Sequence, residues 1–404
     1  MDLFAILIFI LVYLGMFLGR LPGLALDRTG IALLGALLMV IGQRLDLAAA
    51  WSAIDLPTIA LLFGLMIVSA QLRLGGFYSQ LTRRTITAKL TPGTLLALLI
   101  VISALLSALL VNDIVCLAMA PILVEGCARR HLTPIPFLLG LACAANIGSA
   151  ATLVGNPQNI LIGQTLQLSF LGYLGLAAVP VLIGLGITWL VITRAYRQRW
   201  NLAVTADIST ARAWDSWQSI KGLVLLAMVT GAFLFTDWPR ELIALAAAAL
   251  LLTSRRTASR LLLNLVDWQL LLLFMGLFVV HQALAASDLP ARSLNTLAAY
   301  GIDITRPGWL FGLAAVLSNL VSNVPAVMLL LPAAKHPAAG ALLALASTLA
   351  GNLLVIGSIA NIIVVDQAAR LGVPLGWREH ARIGVPVTLL SLAVTAGWLW
   401  LVAM

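Results

Sequence analysis

Charge is scarce in this chain. Asp, Glu, Lys and Arg make up 10% of its 404 residues, against 62% that are apolar. A soluble protein of this length carries about a quarter charged residues, so the core here must face lipid. Cysteine is nearly absent. Cys116, Cys127 and Cys143 all sit in apolar helical sequence without Cys-x-x-Cys spacing, and read as small helix-packing residues rather than disulfide or metal ligands. Only four histidines occur (His131, His281, His336, His380), three of them near predicted loops. No Ser with His, paired aspartates or His-Glu-x-x-His converge, so a membrane-embedded enzyme is disfavoured and no catalytic residue is assigned. No Gly-x-x-x-x-Gly-Lys-Ser/Thr run is present, so ATP is not implied. No Lys or Arg precedes Arg20 and no small-residue cleavage site follows the first apolar run, so Ala5 to Leu18 predicts a membrane span, not a signal peptide.

A span needs about 20 apolar residues. Full spans are predicted near 3–19, 30–47, 55–72, 136–168 (interrupted), 172–194, 219–236, 240–254, 268–286, 339–370 (interrupted) and 383–402. Two pairs of shorter segments, 93–110 with 114–128 and 307–320 with 325–334, are each separated by a few polar residues. That pattern predicts re-entrant hairpins with polar tips near mid-depth. With both termini outside, 19 Lys and Arg fall in inner segments and 5 in outer ones. This positive-inside bias accounts for the net charge of +9 without nucleic acid. It predicts a bacterial-type inner-membrane protein with periplasmic N- and C-termini, the first hairpin entering from the cytoplasm and the second from the periplasm.

The two halves repeat. Arg28-x-x-Ile31-Ala32-Leu33 matches Arg240-x-x-Ile243-Ala244-Leu245 at an offset of 212, which also pairs Asp55 with Asp267 and Gly64-Leu65 with Gly276-Leu277. A shift of 211 pairs Asn112 with Asn323, and one of 202 pairs Gly155 with Gly357 and Asn159 with Asn361. Each half holds five crossings and one hairpin, and five is odd, so the second copy is inserted upside down. The predicted fold is an all-α polytopic membrane protein of two inverted repeats with interrupted helices. The first repeat is 1–195 (hairpin 93–128, broken helix 136–168), 196–218 is a cytoplasmic interfacial linker rich in Trp and Arg, and the second repeat is 219–404 (hairpin 307–334, broken helix 339–370).

Asn, Asp, Gly, Ser and Pro at bilayer depth are costly unless exposed backbone lines a cavity or binds something. Here they recur in corresponding places: Val111-Asn112-Asp113 and Asn146-Ile147-Gly148-Ser149 with Gly155-Asn156-Pro157-Gln158-Asn159, then Ser322-Asn323-Val324-Pro325 and Gly351-Asn352 with Gly357-Ser358-Ile359-Ala360-Asn361. Such breaks are where secondary transporters of repeat architecture bind substrate and coupling ion. Unwound carbonyls with Asn and Ser oxygens suit a bare Na⁺, while half-helix N-termini attract an anion.

These four motifs, in this order, resemble the ion-transporter superfamily, which includes divalent-anion:sodium symporters, citrate–metal symporters, arsenite-efflux permeases and one branch of sodium/proton antiporters. The resemblance covers nearly the whole chain. It implies a homodimer, with a scaffold and a moving transport part that carries hairpins and broken helices as an elevator. The first tip reads Val111-Asn112-Asp113 where dicarboxylate symporters carry Ser-Asn-Thr, and is closer to the arsenite and citrate–metal branches.

The expected activity is secondary transport of a small anion coupled to Na⁺ or H⁺, with no other cofactor. The alternative is cation/proton antiport at Asp113; a channel fits the broken helices less well. Expected substrate contacts are Asn112, Ser149, Thr152, Asn159, Ser322, Asn323 and Asn361. Expected cation-coupling residues, where Na⁺ would bind, are Asn112, Asp113, Asn146, Gly148, Asn156, Asn323, Asn352, Gly357 and Ser358. Asp113 is the one carboxylate placed near mid-membrane; it serves the cation or a proton, or else caps the second hairpin arm. His281, inside the 268–286 span, bridges helices or relays protons.

Overall fold

The computed structural model describes residues 3–19, 23–201, 213–286, 296 and 299–403. The first half contains α1 (Leu3–Leu18), α2 (Arg28–Ile41), α3 (Leu47–Ser52), α4 (Leu56–Leu74), α5 (Phe77–Thr87), α6 (Pro92–Leu109), α7 (Asn112–Arg129), α8 (Pro134–Ser149), α9 (Pro157–Thr165) and α10 (Phe170–Ala195). The second contains α11 (Ser216–Phe235), α12 (Arg240–Leu252), α13 (Ser259–Leu263), α14 (Trp268–Ala285), α15 (Pro307–Val321), α16 (Asn323–Leu330), α17 (Ala339–Ala350), α18 (Ile359–Arg370) and α19 (Trp377–Ala403). Among the described residues, six helices are long and apolar enough to cross a membrane: α4, α6, α10, α11, α14 and α19. Large apolar side chains face outward on them, among them Leu182 on α10 and Leu389 and Trp400 on α19. In water that belt would be an aggregation surface; in a bilayer it is the lipid face. This is a polytopic all-α membrane protein.

Aspartates start several of the helices. Asp27 accepts from Gly30 N at 2.8 Å ahead of α2. Asp55 and Asp267, partners at the offset of 212, cap α4 and α14 in the same way, accepting from Thr58 N and Leu270 N at 3.0 Å each. Each satisfies an otherwise orphaned amide at a helix end. These three aspartates near span ends are thus structural caps.

Every predicted span has a helix near it, and both interruptions are present. Residues 150–156 separate α8 from α9, and residues 351–358, with a single 3₁₀ turn at Val355–Gly357, separate α17 from α18. Two differences have physical reasons. Gly148, expected to help break the helix, lies inside α8, where a Cβ would fall 2.3 Å from Ala104 Cα; it is a packing residue that lets α8 meet α6. Helix α5 went unpredicted because its polar, Arg-bearing face reads as loop charge, although Tyr78, Thr82, Thr85 and Ile86 on its other face are buried. Most of the predicted linker, 202–212, lies outside the described residues.

The helices pack in reciprocal pairs. Helix α4 packs on α12, and α14 on α2. A Cβ on Gly64 would sit 2.6 Å from the Ala244 backbone, and one on Gly276 would sit 2.8 Å from the Ala32 backbone. Gly64 and Ala32 lie 212 residues before Gly276 and Ala244, so one contact occurs twice with the halves exchanged. Glycine permits this backbone approach, as in other membrane helix pairs. Gly64→Val and Gly276→Val should each lower thermal stability in detergent by about 1–3 kcal/mol. Scanning fluorimetry should give near-equal shifts for the two variants. A wild-type melting point in either would show that the contact is not tight.

Helices α1, α2, α4, α11, α12 and α14 form one bundle. Helices α6 to α10 and α15 to α19 form another, in which α6 lies on α8, α15 on α17 and α10 on α19. Across the halves, α7 packs on α18 and α16 on α9, which brings both tips against both breaks.

Candidate functional site

The first tip is two extended residues, Leu110 and Val111, between α6 and α7. Asn112 begins α7, and its backbone N–H donates to Gly155 O at 3.1 Å. A Cβ at Gly155 would fall 2.4 Å from Ser149 O and 2.6 Å from Ser107 O, so only glycine allows the break to close against the tip. The second tip is tighter. Ser322 alone links α15 to α16, at φ +75° and ψ 160°, a conformation that glycine adopts freely and other residues adopt at a cost of about 1–3 kcal/mol.

The breaks interlock through side chains. Asn159 Nδ2 donates to Thr152 O at 2.9 Å and Ser149 O at 3.4 Å; Asn361 Nδ2 donates to Leu354 O at 3.1 Å and Gly351 O at 2.8 Å. These contacts are equivalent at the shift of 202. Each asparagine laces its own unwound segment. Between halves, Asn146 Nδ2 donates to Asn361 Oδ1 at 3.0 Å while Thr348 Oγ1 donates to Asn159 Oδ1 at 3.3 Å. Ser358 Oγ donates to Asn146 Oδ1 at 2.8 Å while Asn156 Nδ2 donates to Thr348 Oγ1 at 3.1 Å. Positions 146, 156 and 159 thus face the counterparts of one another, a two-fold lattice of buried polar groups.

A cavity of about 30 Å³ opens where the four motifs meet, room for an ion or a water molecule. It is lined by Asn112, Asp113, Asn156, Ser322, Asn323 and Ser358, together with Pro157, Gln158, Leu270, Val324 and Ile359. Asp113 is 9% exposed and makes none of the hydrogen bonds or ion pairs found among the described residues. It lies in the first turn of α7, where Val111 holds the cap position, so it is not the cap. Asn112 donates to Asn146 Oδ1 at 3.2 Å, and its own Oδ1 is buried without a partner. The Asn323 amide is satisfied when its nitrogen donates to Gly357 O (3.1 Å) and Ser347 O (3.2 Å) and its oxygen accepts from Gln158 Nε2 (3.0 Å). No Lys or Arg lines the cavity.

The other candidates stand one layer back. Ser149 Oγ donates to Asn146 O at 2.8 Å, and Thr152 Oγ1 donates to Ala108 O at 2.5 Å. Asn146 is at the centre of the lattice, where it also donates to Asn352 Oδ1 at 2.8 Å; Asn159 and Asn361 lace the breaks. A Cβ at Gly357 would meet Asn319 Oδ1 at 2.6 Å. Gln158 and Thr348 were not among the expected residues. Gln158 stands inside the Asn156–Asn159 motif, and Thr348 is the shift-202 counterpart of Asn146, so both carried a signal. His281 Nε2 hydrogen-bonds Tyr13 Oη, which also donates to Pro325 O at 3.2 Å, joining α1 and α14 to the second tip. The three cysteines are buried and unpaired.

A profile of the CitMHS citrate transporter family matches residues 5–350. The chain belongs to this family. It is 31% identical to the silicon efflux transporter LSI3 of Oryza sativa over 92% of both chains. It is 30% identical to a 46 kDa membrane protein of Mycobacterium leprae over 99% of both. The inner membrane protein YbiR of Escherichia coli is 31% identical over 87% of this chain and 89% of its own. The resemblance read from the motifs therefore holds, and the protein is a membrane transporter of this family.

Proposed function

We propose that the protein is an ion-coupled secondary transporter of a small oxyanion or its conjugate acid, with Asp113 carrying the coupling cation or proton. The observation that carries this reading is the placement of Asp113: a buried carboxylate, unpaired among the described residues, in a small cavity that both tips and both breaks line. A second negative charge could enter so small a space only if a proton or Na⁺ neutralised Asp113 first, because like charges a few ångströms apart in a low-dielectric site repel by several kcal/mol. Coupling then follows from electrostatics. With no Lys or Arg in the lining, the cargo is held by carboxamides, hydroxyls and the N-termini of α7, α9, α16 and α18. That lining suits a small hydroxylated oxyacid better than citrate with its three carboxylates, and the rice relative's name, silicon efflux, points the same way. Asn112 Oδ1, the Asp113 carboxylate and Ser322 Oγ are among the cavity oxygens available to a Na⁺.

Reciprocal packing supports two repeats inserted in opposite senses, with the α6–α10 and α15–α19 bundle as the part that moves against the rest. On this reading the molecule sits in the inner membrane with both termini periplasmic, as a homodimer. The alternative to symport is cation/proton antiport, for which the unpaired Asp113 is the supporting observation. Proteoliposomes with separately imposed sodium and proton gradients, given a panel of labelled oxyanions and neutral oxyacids, decide between them. The expected result is cargo flux driven by one gradient. Proton release on adding Na⁺ or Li⁺ without any cargo would instead establish antiport, and flux independent of both gradients would overturn coupling.

A further inference from the structure

The transport reading leaves one buried carboxylate unused. Glu125, near the end of α7, is 7% exposed and pairs with Arg129 through Oε1 at 2.6 Å. Its other oxygen, Oε2, is buried with no hydrogen-bond partner. Glu125 lines a cavity of about 80 Å³ between α5 and α7, with Arg83, Thr87, Arg129 and Arg130 around it and Ile86 and Ile122 as its apolar wall. The walls are fixed. Arg130 donates to the carbonyls of Ile86, Ala88 and Leu90 at 2.8, 2.9 and 3.0 Å, and a Cβ on Gly126 would fall 2.4 Å from Ile86. The Arg83 guanidinium makes no hydrogen bond or ion pair among the described residues.

An orphaned carboxylate oxygen calls for a donor, and an unpaired guanidinium beside it calls for an acceptor. A simple anion would face the Glu125 charge, and a simple cation would face the arginines. A ligand with ammonium and phosphate a few atoms apart satisfies both. We propose that this cavity binds a zwitterionic amino-phosphate head group of the phosphatidylethanolamine type, with its ammonium on Glu125 Oε2 and its phosphate on Arg83 and Arg129. Arg83, Arg84, Lys89 and Arg129 cluster where α5 and α7 end, the level at which basic residues meet lipid head groups.

The test is native mass spectrometry of the full-length protein, delipidated in detergent and titrated with phosphatidylethanolamine, phosphatidylglycerol or soluble phosphoethanolamine. One phosphatidylethanolamine per chain should be retained at about tenfold lower concentration than phosphatidylglycerol, the value of one charge-assisted hydrogen bond. Glu125→Gln should erase that preference, and Arg83→Ala, at an exposed and unpaired position, should weaken retention of both lipids without affecting folding. Competition by phosphoethanolamine would place recognition in the free head group, and retention in its presence would assign the site to the intact lipid; both support the proposal. Equal retention of the two lipids by the wild type, or a preference that survives Glu125→Gln, would overturn it.

Discussion

Asp113→Asn should lower the initial rate of gradient-driven transport by about 10- to 100-fold, since a charged partner in such a bond contributes about 1.5–3 kcal/mol. The substitution keeps the side chain's size and removes its charge from a cavity that no Lys or Arg lines. Folding should be little changed, because Asp113 makes no hydrogen bond or ion pair among the described residues and does not cap α7. The residual flux should lose its dependence on pH and sodium. A variant with normal rates that still follows the imposed gradient would remove Asp113 from the coupling step.

Asn146→Leu should have the largest effect on stability. Asn146 Nδ2 donates to Asn352 Oδ1 and Asn361 Oδ1, and its Oδ1 accepts from Asn112 Nδ2 and Ser358 Oγ. Removing it leaves four buried polar atoms short of a partner, at about 1–3 kcal/mol for each that finds no substitute. Some will repair with each other, so a net loss of about 4 kcal/mol is expected, seen as a marked fall in the melting temperature in detergent. Thr348→Val removes the counterpart, a single hydroxyl that three amides share, and should cost less. If Thr348→Val proved the more damaging, the lattice would not be centred on Asn146.

Much of this architecture was legible in the sequence because breakers are expensive in lipid. Pro157, Gly155 and the Asn-rich runs marked both interruptions, and the offset of 212 already paired Gly64 with Gly276. What could not be read was which residue faces which. Residues 146, 156 and 159 bond across to the other half, and sequence spacing carries no information about such contacts. Gly148 was misread because glycine that breaks a helix and glycine that admits a neighbouring backbone look alike until Ala104 is seen against it. Asn159 and Asn361, expected among the substrate contacts, lie one layer behind the cavity lining because the carbonyls of an unwound segment need donors before any ligand arrives.

The central claim is that the two tips and two breaks enclose one cavity reached alternately from the two sides of the membrane. Ser322→Cys places a thiol on that cavity, against a background of three native cysteines that are all buried. Impermeant thiol reagents should be applied from either face of oriented vesicles, with and without the coupling gradient. Labelling from both faces, in proportions that the gradient shifts, is the expected result. Labelling confined to one face under every condition would contradict it.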